Sequence, residues 1–157
     1  MASSSFQRQI DEAKCDGNKS RELIAVKQRR GSDCGLASLA TVAQYYGRSV
    51  DYDDIFCAIA LDGQGTNFLN ISKIAELLGF STQGFRGSYD AISSCTLPAI
   101  AHIRRILAGG HFVVVHCWNS SSVMVADPAV GTRMVSRRAF CRCWTGHLLT
   151  VVPARTP

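Results

Sequence analysis

The spacing of apolar residues changes near Pro98, where a helical pattern gives way to a strand-like one. Before Pro98, apolar residues recur at the three- and four-residue spacing of amphipathic helices. This part predicts helices at 34–46, 53–60 and 71–78, a strand at 80–85 and a short helix at 89–95. After Pro98, short apolar runs separated by turn residues predict strands at 99–103, 111–118, 122–126 and 148–152. One helical layer packed on one antiparallel sheet is therefore expected, which is the α+β class.

Turn and cap residues mark the ends of two of these helices. Ser32 or Asp33 is expected to cap the helix at 34–46, and Gly47 to end it. Asn70 is expected to cap the helix at 71–78, which Gly79 then ends.

The chain divides into a polar extension at 1–22 and one domain at 23–157. Its 157 residues suffice to bury a single core, and 46% hydrophobic with 18% charged residues is typical of globular proteins. No apolar stretch reaches the ~18 residues that span a bilayer. The N-terminus also lacks the apolar region of a signal peptide, so we expect no export.

Charge and cysteine content exclude several kinds of site. The net charge of +5 comes partly from small arginine pairs, none long enough for a nucleic-acid-binding arm. A solvated basic surface is the simpler interpretation, and attraction to an acidic peptide or an anionic membrane is the alternative. Seven cysteines at irregular spacing predict reduced thiols in the cytosol. Cys141-Arg-Cys143 is too close a spacing for a zinc pair, so we expect neither a metal nor another cofactor.

Cys34 is the candidate nucleophile because of where it lies. It begins a predicted helix, whose positive end and free N–H groups favour a thiolate. Gly31 and Gly35 flank it, so backbone N–H groups can approach a bound carbonyl and stabilise a developing oxyanion. Gln28, shortly before it in the sequence, can fold back to give a second donor from its side chain.

His111 and Asp127 are the candidate base and orienting acid. His111 begins one predicted strand and Asp127 ends the next, and a turn at 119–122 would bring them side by side in an antiparallel pair. His102, His116 and His147 compete as bases, but none of them has an acid so placed. A cysteine, a histidine and an acid on three separate elements form the arrangement of cysteine proteases.

Six motifs in order resemble the double-glycine leader peptidases, which are papain-like cysteine proteases best known as the N-terminal domain of bacteriocin- and lanthipeptide-exporting ABC transporters. The motifs are Gln28-Arg-Arg-Gly-Ser-Asp-Cys-Gly-Leu-Ala, Tyr45-Tyr-Gly, Leu97-Pro-Ala-Ile-Ala-His, His111-Phe-Val-Val, Asp127-Pro-Ala-Val-Gly and Phe140-Cys-Arg-Cys-Trp-Thr-Gly. The resemblance implies a papain-like fold. It also implies Cys34 as nucleophile, His111 as base, Asp127 as orienting acid and Gln28 as oxyanion donor.

The family also implies a substrate and partners. The substrate would be a precursor peptide whose amphipathic leader helix ends in Gly-Gly or Gly-Ala, cut just after that pair. The leader groove is expected at Leu61, Phe68, Ile71, Ile74 and Leu78. The chain would be an excised ABC transporter domain at the cytoplasmic face of the bacterial inner membrane, or a stand-alone cytoplasmic peptidase. No nucleic acid is expected as a partner.

Two other functions stay open. A docking domain would bind the precursor for a transporter without cleaving it, but such a domain has no need of Cys34, His111 and Asp127 together. Another acyl-transfer enzyme on a papain-like fold, such as a transglutaminase or an amidase, would keep the three residues. Gln28 and the set of six motifs disfavour that alternative.

Overall fold

The part of the chain that the structure describes contains four helices, a 3₁₀ helix and six strands. A computed structural model describes residues 22–60, 66–107 and 109–155, without the side chains of 58–60. The helices are α1 (Cys34–Tyr45), α2 (Tyr52–Ala60), α3 (Phe68–Leu77) and α4 (Arg137–Cys143), with a 3₁₀ helix at Tyr89–Ser94. The strands are β1 (Phe80–Arg86), β2 (Ala99–Arg105), β3 (Gly109–Trp118), β4 (Ser122–Asp127), β5 (Gly131–Ser136) and β6 (Trp144–Pro153).

The strands form a single antiparallel sheet in the order β1-β6-β2-β3-β4-β5. Side chains alternate between its two faces. Ile100, Phe112 and Val114 lie on the face that packs against α1, α2 and α3. Val113 and Val115 lie on the other face, under α4 and the 3₁₀ helix. The predicted α+β class is confirmed, although helices cover part of the second face as well.

Helix α1 lies in the middle of the helical layer and is buried on all sides. Every residue from Cys34 to Ala43 is buried, so this helix lacks the exposed polar face of a surface helix. It packs on β3, the strand that carries His111. The first residue of α1 therefore lies next to the beginning of β3.

The predicted helix caps differ from the observed ones. Asn67, not Asn70, caps α3, because its side-chain oxygen accepts a hydrogen bond from the backbone N–H of Asn70 at 2.9 Å. The helix thus begins one turn earlier than predicted. Asp33 occupies the cap position of α1 but makes no side-chain capping bond. Gly79 follows α3 with a φ of 80°, as expected for a residue that ends a helix.

Strand β5 and helix α4 were not predicted from the sequence. β5 pairs with β4 along its whole length but is an edge strand with only half-buried or exposed side chains. Helix α4 is short and buries only Phe140 fully. Neither element has the regular apolar spacing on which the prediction depended.

Most of the predicted extension at 1–22, and Leu61 of the predicted groove, lie outside the described residues. Within the described ranges, no helix is both long and apolar enough to cross a membrane. Cys34, Cys57, Cys95, Cys141 and Cys143 are free thiols. Cys117 is disulfide-bonded, so the expectation of reduced thiols throughout is wrong at this residue.

Candidate active site

His111 and Asp127 are joined by a short, buried hydrogen bond. The Nε2 atom of His111 lies 2.7 Å from Oδ1 of Asp127, and each residue is only 4% exposed. They meet because β3 and β4 run antiparallel, with Val114 opposite Ala126. Oδ1 of Asp127 also accepts a hydrogen bond from the backbone N–H of Ala129 at 2.8 Å.

Asp127 stays ionised in spite of its burial. Burial raises the pKa of its carboxyl group, whereas the hydrogen bonds from His111 and from the backbone of Ala129 lower it. The guanidinium of Arg105, 3.8 Å from Oδ1, lowers it further. The net pKa lies below the ordinary value of an aspartate, so this side chain offers His111 a negative charge.

The thiol of Cys34 interacts with the imidazole of His111. Burial raises the pKa of the thiol, but the interactions with His111 and with the backbone N–H groups of Phe112 and Gly35 together lower it by more. The net pKa of Cys34 therefore lies below its ordinary value. Because Nε2 of His111 is bound to Asp127, Nδ1 is the ring nitrogen left for the sulfur.

The pKa of His111 shifts in the opposite direction. Burial alone would lower it, but the hydrogen bonds with Asp127 and Cys34 raise it, and the net pKa lies above the ordinary value. A lowered thiol pKa and a raised imidazole pKa both favour the thiolate–imidazolium pair. The site can therefore hold a nucleophilic sulfur and a proton donor side by side.

Asp33 fixes the turn that precedes Cys34 and does not cap its helix. Its carboxylate is 2% exposed and accepts hydrogen bonds from the backbone N–H groups of Arg29 at 3.3 Å and Arg30 at 3.0 Å. The hydroxyl of Tyr52, on α2, donates a third bond at 2.6 Å. Burial and the carboxylate of Asp33 together raise the pKa of Tyr52. The carboxylate thus joins the turn to a second helix.

Gln28 lies between the Cys34 turn and the turn that follows Asp127. Its backbone N–H donates to the carbonyl of Pro128 at 3.0 Å, and its side-chain Nε2 donates to the carbonyl of Arg30 at 3.0 Å. Oε1 is buried and has no partner among the described residues. An amide nitrogen carries two hydrogens, so one is left over. The oxyanion role of Gln28 stays a prediction.

Cys34 opens onto a cleft of about 490 Å³. Three rings form one wall of the cleft: the ring of Phe112 lies 5.1 Å from that of Phe68 and 5.2 Å from that of His102. Gly110, next to the candidate base, also lines it. A Cβ built on Gly110 would lie 2.6 Å from Nε2 of His102, so a larger residue at that point would require the imidazole to move.

Gly35 is required for a close approach on the other side of the nucleophile. A Cβ built on Gly35 would clash with the side chain of Thr66 and lie 2.9 Å from Cδ1 of Ile71. The start of α1 is thereby pressed against α3 and the residues that precede it.

Only some residues of the predicted leader groove are accessible in the structure. Phe68 lines the cleft beside Cys34, and Leu78 is half-buried against the core. The prediction is wrong for Ile71 and Ile74, which are 0% and 6% exposed and belong to the core. The apolar stripe of an amphipathic helix faces the core, which is why these two residues are unavailable to a ligand.

Two residues near the cleft were missed at the sequence level. His102 and His147 both line it, and both interact with the hydroxyl of Thr145. From the sequence, these histidines were considered only as bases that compete with His111. Their shared threonine lies on another strand from His102, so no local pattern indicates it. Within the described residues, no cluster of His, Cys, Asp or Glu could hold a metal ion.

Comparison with known families agrees with this geometry. The model of the Peptidase C39 family matches residues 22–156. The chain belongs to the Peptidase C39 family. The predicted family and papain-like fold are confirmed. The family is one of cysteine peptidases, so this part of the predicted activity is confirmed as well.

Relatives in this family include much longer transport proteins. The chain is 29% identical over 153 residues to the probable microcin-H47 secretion/processing ATP-binding protein MchF of Escherichia coli, covering 98% of this chain and 21% of that protein. It is 33% identical over 131 residues to the lactococcin-A transport/processing ATP-binding protein LcnC of Lactococcus lactis subsp. lactis, covering 80% and 18%. The chain thus spans about a fifth of the length of the curated relatives it matches.

Two solved structures have the same fold. A double glycine motif protease from an AMS/PCAT transporter, in complex with its leader peptide, gives a TM-score of 0.75 at 29% identity, covering 87% of this chain and 96% of that one. The peptidase domain of Streptococcus ComA gives 0.77 at 28% identity, covering 84% and 99%. These two family members are separate peptidase domains matched over nearly their full length.

Proposed function

We propose that this protein is a cysteine endopeptidase that removes the leader of a ribosomally made precursor peptide by cutting after a Gly-Gly or Gly-Ala pair. The observation that carries the proposal is the buried hydrogen bond between His111 and Asp127, together with the interaction of His111 with Cys34 at the edge of a cleft. The opposite pKa shifts of Cys34 and His111 support the roles of nucleophile and acid–base.

The reaction follows from the atoms at the site. The thiolate of Cys34 attacks the carbonyl carbon of the second glycine, and the oxyanion is held by the Gln28 side chain and a backbone N–H at the start of α1. His111 then gives its proton to the departing amine, which leaves a thioester on Cys34. Water loses a proton to His111 as it attacks the thioester, and the leader departs with a new carboxylate. Asp127 orients the imidazole throughout and stabilises its charged form.

The shape of the cleft suits two small residues before the cut. The rings of Phe68, His102 and Phe112 and the backbone of Gly110 line the cleft beside Cys34. We propose that these groups would clash with a bulky side chain at the cleavage site. The double glycine motif named for the transporter protease of the same fold fits such a cleft.

The leader helix is proposed to contact the outer face of α3. Asn67 and Phe68, at the start of α3, line the cleft, so a chain leaving the cleft on that side meets this helix. Leu69 and Leu77 are 63% and 81% exposed and lie on the same helix face, with exposed Lys73 between them. An amphipathic helix with an acidic rim could cover both leucines and pair with the lysine.

The partners follow from the relatives. Their names describe ATP-binding proteins of transport and processing, and this chain corresponds to about a fifth of their length. We propose that transmembrane and ATPase domains of an ABC transporter, in the same or a neighbouring chain, export the peptide after cleavage. The domain would then work at the cytoplasmic face of the bacterial inner membrane.

The decisive experiment uses synthetic peptides that carry a leader helix and a Gly-Gly junction, with products identified by mass spectrometry. Cleavage after the second glycine is expected from the wild type and from Cys57→Ala, which removes an exposed thiol, but not from Cys34→Ala. Tight binding without cleavage by the wild type would refute the peptidase and favour a docking domain. Transfer of the leader to an added amine without hydrolysis would favour another acyl-transfer enzyme.

A further inference from the structure

The hydroxyl of Thr145 fixes where two histidines carry their protons. It donates its only hydrogen to the backbone carbonyl of His102 at 3.0 Å. Its oxygen also lies 3.3 Å from Nδ1 of His102 and 3.3 Å from Nδ1 of His147. Because the hydroxyl hydrogen is already used, both ring nitrogens must donate to this oxygen. In its neutral form, the imidazole of His102 therefore has its hydrogen on Nδ1 and a free lone pair on Nε2.

The lone pair of His102 lies at the wall of the cleft. Nε2 is the atom that a Cβ on Gly110 would approach to 2.6 Å, so it rests against the backbone just before His111. Burial lowers the pKa of His102, and the nearby charges of Arg104, His147 and His111 lower it further, so the ring is neutral at neutral pH. A neutral ring with Nδ1 protonated accepts hydrogen bonds at Nε2.

A substrate chain in this cleft needs such an acceptor. Each backbone N–H that leaves water for a narrow cleft must find a partner or lose a hydrogen bond. The rings of Phe68 and Phe112 have no lone pair that could accept a hydrogen bond from a peptide N–H. The bonds of two polar neighbours are known: the hydroxyl of Thr66 donates to the carbonyl of Ser32, and the side-chain oxygen of Asn67 accepts from the backbone N–H of Asn70.

We propose that Nε2 of His102 accepts a hydrogen bond from a backbone N–H of the Gly-Gly pair and so selects and positions the substrate. This inference rests on the proposed function, because it concerns the peptide cleaved at Cys34. His102 takes no part in the bond changes. It binds the backbone of residues that have no side chain by which they could be recognised.

Replacing peptide bonds with esters tests the inference directly. Two peptides are made in which glycolic acid replaces the first or the second glycine, which removes one N–H and leaves the scissile bond unchanged. With the wild type, one of the two esters is expected to lower kcat/KM about tenfold, mainly through KM, which is the usual worth of such a bond. With His102→Phe, which keeps the ring but has no acceptor, that ester and the parent peptide are expected to be cut equally well. His102→Gln offers an amide oxygen and is expected to restore part of the difference.

The comparison variant is His147→Phe, which tests the other histidine of the cleft, since His147 contacts the same threonine. This variant is expected to keep the tenfold difference between parent and ester. Equal cleavage of parent and both esters by the wild type would overturn the inference, as would a full ester penalty in His102→Phe or its loss in His147→Phe. Melting temperatures of the His102 variants show whether they fold.

The same comparison made by binding separates this inference from the proposed function. Affinities of the parent and ester peptides are measured by calorimetry with Cys34→Ala and with Cys34→Ala combined with His102→Phe. If the wild type binds but does not cleave the parent, the peptidase proposal fails, whereas a tenfold ester penalty that depends on His102 still supports the inference. If the wild type cleaves the parent but neither affinity nor kinetics depends on His102, only the inference fails.

Discussion

Asp127→Asn removes one negative charge from the centre of the candidate site and little else. The amide oxygen can still accept the backbone bond from Ala129, so the turn is retained. What is lost is the charge that faces Nε2 of His111 at 2.7 Å. A hydrogen bond to a charged group is worth about 1.5–3 kcal/mol. At 1.36 kcal/mol per factor of ten, kcat/KM is expected to fall about 10- to 150-fold.

The same substitution changes the pH dependence in a definite direction. The active ion pair exists above the lowered pKa of Cys34 and below the raised pKa of His111. Asp127 is one cause of the raised pKa of His111, so its neutralisation lowers that pKa. The alkaline limb of the profile of kcat/KM against pH should therefore move to lower pH.

The assay is cleavage of a Gly-Gly peptide, with kcat/KM measured across the pH range for the wild type and Asp127→Asn. Asp90→Asn is the matched control, because Asp90 is an exposed carboxylate paired with Arg137 at 2.8 Å. The control should leave both limbs unchanged. An unaltered alkaline limb and unaltered kcat/KM in Asp127→Asn would refute the reasoning about the imidazole.

Three further predictions concern other parts of the site. Iodoacetamide should alkylate Cys34 well before Cys95 near neutral pH, because the pKa of Cys34 is lowered and burial raises the pKa of Cys95. Mass spectrometry of digests measures both rates, and equal rates would count against an activated thiol. Gly35→Ala should lower the free energy of unfolding by about 1–3 kcal/mol through overpacking, whereas Gly84→Ala should not, because the added Cβ lies in open space. Equal melting curves for the two variants would contradict this. Leu77→Ser should raise KM for a peptide with its full leader but not for a short Gly-Gly peptide, and equal effects on both would exclude a leader contact at α3.

The meeting of His111 and Asp127 could be predicted because it depends only on local patterns. The apolar runs of β3 and β4 are long and regular, and the residues between them form a tight turn. In the structure, the side-chain oxygen of Asn119 accepts hydrogen bonds from the backbone N–H groups of Ser121 and Ser122 at 2.9 and 2.8 Å. Antiparallel pairing across that turn fixes which residues face each other.

The errors arise where a residue type satisfies two structural roles. Asn67 and Asn70 are both acceptable caps, and the sequence does not show which one begins α3. Asp33 is also a good cap, but in the structure it binds the turn before it and Tyr52. Such a choice depends on a residue from another helix, which sequence spacing cannot indicate.

The groove was misplaced for a related reason. Ile71 and Ile74 stand out in the sequence because they are apolar and regularly spaced, but this regularity marks a core-facing stripe. Exposed Leu69 and Leu77 are less conspicuous in the sequence and become visible only when burial is known. The pairing of His102 with Thr145 likewise requires knowledge of how β2 and β6 lie together.

The backbone bond from Gln28 to Pro128 has a consequence for damaged or partly opened copies of the protein. It ties the stretch before the nucleophile to the turn after the acid, so the helical layer and the sheet cannot move apart at this end without breaking it. Such a movement also carries the sulfur away from the imidazole. On heating, any activity that needs the sulfur beside the imidazole should therefore cease before the last secondary structure melts.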